Sequence, residues 1–150
     1  MQVRLFDSQI YPGFPEHYQE IMEVWEASVR ATHHFLLEAD IQYFKPLILN
    51  EFLKAVDLFC VKDNSGAIVG FMGLHEDNLE MLFIHPNMRG KGIGKLLTQR
   101  AIKLGICKVD VNEQNPDALG FYQRQGFEVV SRSELDGLGK PYPILHLRLA

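Results

Sequence analysis

The chain has 150 residues, 47% hydrophobic and 23% charged, with a formal net charge of −4. That length suits one domain, read as residues 1–150, and that composition supports a packed core rather than disorder. The acidic balance weighs against a duplex nucleic-acid binder, and no apolar run reaches the ~18–20 residues of a membrane span.

The segment Met1 to Asp7 lacks the apolar stretch of a signal peptide. Cys60 and Cys107 lie in apolar runs without CxxC spacing, as buried free thiols of a reducing compartment do. The expectation is a cytoplasmic protein, monomer or homodimer, with no membrane or nucleic-acid partner.

Residues 3–6 alternate and predict an opening strand, which Gly13 and Pro15 punctuate. Between residues 18 and 37, Ile21, Met22, Trp25 and Val29 recur at helical spacing. Pro46 suits the first turn of a second helix, with Leu49, Phe52, Leu53 and Val56 as its stripe. Residues 58–61 read as a strand and Asp63-Asn64-Ser65-Gly66 as a turn. Residues 67–75 are nearly all apolar and predict a strand buried on both faces. Residues 79–85 form a third strand, stopped by Pro86, and period-two alternation would put Glu80 on one face with Leu82 and Ile84.

The pattern then changes to loop, helix, strand, helix. Residues 92–104 carry Ile93, Leu96, Leu97, Ala101 and Leu104 on one helical face, and Gly105 suits the stop. Residues 108–111 are a strand. Asn115-Pro116 starts a further helix, Asn as cap and Pro in the first turn. It runs to about Gln125 and ends at Gly126. Residues 127–131 and 143–149 supply final strands across a loop holding Gly137 and Gly139. The sum is an α/β chain with a mixed sheet of roughly seven strands and four helices.

The segment from His85 to Lys95 holds the strongest chemical signal. Glycines at 90, 92 and 94 let backbone approach a ligand and aim several N–H groups one way. The following helix adds the positive end of its dipole, and Arg89, Lys91 and Lys95 add mobile charge. This is an anion cradle suited to pyrophosphate. A Walker loop needs GxxxxGK[ST], which does not occur, and a dinucleotide fingerprint needs a third glycine where Leu97 stands.

Arg89-Gly90-Lys91-Gly92-Ile93-Gly94 matches the Q/R-x-x-G-x-G/A motif of the GNAT superfamily of N-acetyltransferases. Asn115, Ala118, Tyr122 and Gly126-Phe127 match a second signature, N-x-x-A-x-x-x-Y-x-x-x-G-F, at the family's separation. The resemblance covers about residues 58–131 closely and the rest loosely. A narrower likeness links Trp25, Ser28-Val29, Ala31-Thr32-His33 and Phe35-Leu36 to the YjaB-type bacterial acetyltransferases. Residues 111–115 and the tail Asp136-x-Leu138-Gly139-Lys140-Pro141-Tyr142-Pro143 share that likeness.

The resemblance implies a GNAT-like fold with splayed parallel central strands, and acetyl-CoA as cosubstrate. The main chain of Leu82, Phe83 and Ile84 would pair with the pantetheine arm, one N–H polarising the thioester carbonyl. Amides from Gly90 through Lys91, Gly92, Ile93 and Gly94 to Lys95 would hold the pyrophosphate, with Arg89 beside it, and Asn115 would touch the cofactor near the pantetheine. Tyr122 occupies the position of the general acid that returns a proton to the sulfur. Direct attack in a ternary complex is implied, on a small amine or on a protein lysine or N-terminus.

The amine must lose a proton first. Glu80 and Asp110 are the candidate bases, and Glu113 is a third. His33 and Trp25 are candidates for the acceptor pocket. His33 and His34 are adjacent, point to different helix faces and have no partner at ligand spacing, so no metal is expected. A catalytically silent acyl-CoA-binding module is the alternative; it would bind the cofactor without turnover.

Overall fold

The structure is a computed structural model and describes residues 10–150. The strand expected over residues 3–6 lies outside them. In chain order the elements are β1 (Ile10–Pro12), α1 (Tyr18–Thr32), α2 (Glu38–Leu47), β2 (Asp57–Lys62), β3 (Ile68–His75), β4 (Asn78–Ile84), α3 (Ile93–Lys103), β5 (Lys108–Asn112), α4 (Pro116–Arg124), β6 (Phe127–Ser133) and β7 (Ile144–Leu149). The strands form one sheet in the order β1-β2-β3-β4-β5-β7-β6.

β1 to β4 run antiparallel; short turns join β2 to β3 and β3 to β4, while α1 and α2 lie between β1 and β2. β4 and β5 are parallel: α3 lies between them and carries the chain back, the crossover that parallel strands need. β5 then pairs antiparallel with β7, and β7 with β6.

Two apolar clusters flank the sheet. On one face Ile21, Trp25 and Val29 of α1 pack with Leu58, Ile68 and Phe71. On the other, Ile93, Leu97 and Ala101 of α3 pack with Met72, Leu79, Val109 and Val111, joined by Tyr122 of α4. β3 lies between both layers and is buried everywhere except His75, as its unbroken apolar run requires.

Two local expectations are corrected. The second helix starts at Glu38, not near Pro46. Leu37 is extended before it, and Glu38 and Asp40 occupy a first turn that favours negative charge. Pro46 falls in the last turn, where its missing N–H ends regular bonding. A wide π turn (Ile48–Phe52) and a 3-10 turn (Leu53–Ala55) follow, and these carry Leu49, Phe52 and Leu53, with Val56 extended just after them. The second correction concerns β4. Gly73 pairs with Met81 and Leu74 with Leu79, so Glu80 is one residue too many, a β-bulge. The bulge breaks the alternation. Leu82 and Ile84 pack on the α3 side, while Glu80 stays with Asn78, whose amide donates to it.

Cys60 is buried, which pushes its thiol up to about 11, whereas Cys107 is only half-buried. Asp40 is buried at the start of α2, where the Tyr142 hydroxyl donates to it and the Lys140 ammonium lies 3.0 Å away. This clasp ties the β6–β7 loop to α2. Among the described residues no helix is long and apolar enough to cross a membrane.

Candidate active site

β4 and β5 pair at two positions only, Asn78 with Lys108 and Leu79 with Val109. Past Leu79 they part, and a cleft of about 530 Å³ opens between them. The edge of β4 facing that gap has no strand partner there, so its main chain is free to pair with an extended ligand. Leu82, Phe83 and Ile84 all line the cleft.

At one end stands the glycine loop. Gly90 and Gly92 have φ of +78° and +86°, a left-handed region costly to residues with a Cβ. Gly92 caps α3 without any side-chain bond. The N–H groups of Ile93, Gly94 and Lys95 therefore lack helical partners, since intrahelical bonding starts with Leu96 donating to the Gly92 carbonyl at 3.0 Å. Orphan amides and the helix dipole point to an anion. Arg89, Gly90, Gly92, Ile93, Gly94 and Lys95 line the cleft. Lys91 is exposed on the loop and does not. Ile93 contributes only backbone, because its side chain is 1% exposed in the core. These features fit a pyrophosphate-bearing, extended cofactor such as acetyl-CoA.

Tyr122 sits deeper, 8% exposed, edge-on to Phe121 and Phe127. Burial raises its phenol well above the usual value, so it keeps its proton at neutral pH. Tyr122 lines the cleft, and its hydroxyl bonds to no other described residue. Asn115 caps α4: its Oδ1 accepts from the Ala118 N–H at 3.2 Å. Its amide nitrogen lies 3.5 Å from His33 Nε2.

His33 ends α1 and lines the same cleft. The Thr32 hydroxyl donates to the Ser28 carbonyl at 2.8 Å and lies 2.7 Å from His33 Nδ1. With the hydroxyl proton spent on Ser28, the ring must donate from Nδ1, and Nε2 is left as an acceptor. Burial first, and the neighbouring His34 second, lower the ring to about 4. His33 is thus neutral at physiological pH. Phe35 and Phe83 hold it from the sides.

Two carboxylates stand where the strands part. Glu80 and Asp110 are the residues just past the last paired positions of β4 and β5. Both line the cleft. Val109 and Val111 pack toward α3, so Asp110 faces the opposite side, the side of Glu80. Glu113 does not line the cleft; it is bound to Arg132 at 2.6 Å. Trp25 also lies elsewhere, 4% exposed in the α1 cluster, so it belongs to the core and not to the acceptor pocket. Ser28 and Thr32 line the cleft from α1 and escaped the sequence reading. Their four-residue spacing on the polar margin of an apolar stripe was the available signal. Among the described residues no group of three or more His, Cys, Asp or Glu is placed to hold a metal.

Comparison with known proteins agrees with this geometry. Residues 55–129 match the model of the Acetyltransferase (GNAT) domain family. The chain is 42% identical over 133 residues to the peptidyl-lysine N-acetyltransferase YjaB of Salmonella typhimurium (strain LT2), covering 88% of this chain and 91% of that one. It is 40% identical to the protein of the same name from Escherichia coli (strain K12), covering 88% and 90%. The solution structure of apo-form YjaB from Escherichia coli superposes with a TM-score of 0.84 at 37% identity, covering 94% of this chain and 96% of that one. The chain belongs to the GNAT acetyltransferase family and is an N-acetyltransferase.

Proposed function

We propose that the protein transfers the acetyl group of acetyl-CoA to the ε-amine of a protein lysine, by direct attack in a ternary complex. The observation that carries this reading is a cleft crossing the sheet, with orphan amides at one end, a buried phenol inside, and two carboxylates on the far face at its apex. The lysine acceptor, rather than a small amine, is supported by the names of the two YjaB relatives.

Acetyl-CoA supplies an activated acyl carbon and a thiolate leaving group. The chain supplies everything else. A lysine ammonium has a pKa of ~10.4, so freeing its lone pair at pH 7 costs about 4–5 kcal/mol. Asp110 or Glu80 attracts the ammonium and accepts its proton, directly or through one water. His33 Nε2, neutral and acceptor-only, takes one of the two N–H groups of the neutral amine in place of the Asn115 amide and orients the nitrogen. The free amides along β4 polarise the acyl oxygen. The Tyr122 phenol gives its proton to the departing sulfur.

The test is initial-rate kinetics with a lysine peptide blocked at its N-terminus. Direct transfer gives intersecting double-reciprocal lines and no acetyl-enzyme. Parallel lines with an acetylated enzyme would contradict the ternary complex.

A further inference from the structure

We infer that His146 is a positioning residue for the transfer, and that with Ser133 behind it His146 makes Asp110, rather than Glu80, the group that takes the amine proton. The inference rests on the acetyltransferase reading above and names its base.

The sheet order creates the arrangement. β7 lies between β5 and β6 although it is last in the chain. Asp110 therefore faces His146 in register across β5 and β7. The distance from His146 Nδ1 to Asp110 Oδ1 is 2.7 Å, and from Ser133 Oγ to His146 Nε2 also 2.7 Å. Three residues from three strands form one chain.

Its polarity follows from donor counting. An ionised carboxylate only accepts, so His146 Nδ1 must carry the hydrogen. A neutral ring then has a bare Nε2, so the Ser133 hydroxyl must donate to it. Serine fixes the tautomer of histidine, and histidine fixes the rotamer of Asp110. Asp110 Oδ1 is engaged, and Oδ2 makes no hydrogen bond to a described residue. That oxygen is available to a proton from the cleft, which Asp110 lines.

Glu80 is held differently. Its partner is the Asn78 amide, two residues away on the same strand, and its own backbone is a bulge. It has one more rotatable bond and, among the described residues, no partner from another strand. A base held to within fractions of an ångström transfers protons better than one that wanders. Asp110 has the held geometry. Glu80 stays as a second negative charge that draws the ammonium to the apex.

Steady-state kinetics with acetyl-CoA and a lysine peptide test this on the full chain. Asp110→Asn should lower kcat by about 100-fold or more, the usual scale for losing a general base. His146→Leu should lower kcat by about tenfold with the KM for acetyl-CoA unchanged. His146→Asn keeps an N–H near the Nδ1 position and should recover most of that loss. In an Asp110→Asn background, His146→Leu should cost nothing further, because it acts only through Asp110. Thermal unfolding with and without CoA confirms that each variant folds and binds.

His146→Leu at the parent kcat would overturn the inference, as would an equal loss with and without Asp110. Asp110→Asn at the parent rate, with Glu80→Gln slow, would also overturn it and move the base to β4. Absence of any acetyl transfer by the unmutated protein would instead remove the proposed function itself.

Discussion

Gly92 has φ of +86°, and a Cβ built there would meet nothing within 4 Å. Space is therefore not the constraint; backbone conformation and the anion are. Gly92→Ala should keep measurable CoA binding while paying a strain of about 1–2 kcal/mol. Gly92→Asp adds a negative charge to the same cradle and should remove CoA binding in isothermal titration, with the fold retained. Retained micromolar affinity would contradict the assignment of the loop. Tyr122 offers a second separation. Its buried hydroxyl bonds to no described residue, so Tyr122→Phe should leave thermal stability unchanged or raised. The same change should lower kcat about 100-fold with CoA affinity intact. His33 gives a pH signature. Its ring sits near 4 in the folded protein against 6.5 unfolded. Between those values the unfolded chain binds the proton and the folded one does not. Stability is thus lost as pH falls from about 6.5 to about 4, by roughly 3 kcal/mol at most. Urea midpoints at pH 4.5 and 7 should lie closer together in His33→Gln than in the parent.

Elements were legible where local rules are strong. α4 begins with Asn115 as cap and Pro116 in its first turn, and α3 ends before Gly105 at φ +104°. Both positions have one good chemical reading. α2 was misplaced because proline is read as a starter, whereas Glu38 and Asp40 begin the helix and Pro46 falls in its last turn. The bulge at Glu80 was invisible, since it exists only in the pairing of β3 with β4. The β6–β7 loop shows the same limit. Its Asp136-to-Pro143 stretch was matched as a string, but its role lies in Tyr142 and Lys140 reaching Asp40 on α2. Those two partners hold the Asp40 carboxyl below the usual range. Tyr142→Phe should therefore lower the urea midpoint, and the deficit should shrink as pH falls and Asp40 takes up a proton. CoA affinity should not change, because the clasp lies outside the cofactor end of the cleft.

At the scale of the molecule, the two halves of the site differ in origin. The cofactor end comes from one continuous segment, so Arg89, Gly90, Gly92, Gly94 and Lys95 were readable in a row. The acceptor end is assembled from the end of α1, the bulge of β4, β5 and, behind it, β7 and β6. Asp110, Ser133 and His146 meet only because the sheet inserts β7 between β5 and β6. Spacing in the chain cannot reveal that. For Trp25 it was the family likeness that suggested the acceptor pocket, whereas its place in the apolar stripe of α1 already pointed to the core it fills. The fold and the chemistry depend on the same event, the parting of β4 and β5 after two paired positions.

The central claim is acetyl transfer to a lysine side chain, and one measurement meets it directly. Purified protein is mixed with acetyl-CoA and an N-terminally blocked peptide holding one lysine, and the products are followed by mass spectrometry and thiol release. The account predicts one acetyl group on the lysine for each thiol released, with almost none for Tyr122→Phe. Binding of CoA without acetylation of any amine, or equal turnover by Tyr122→Phe, would contradict it.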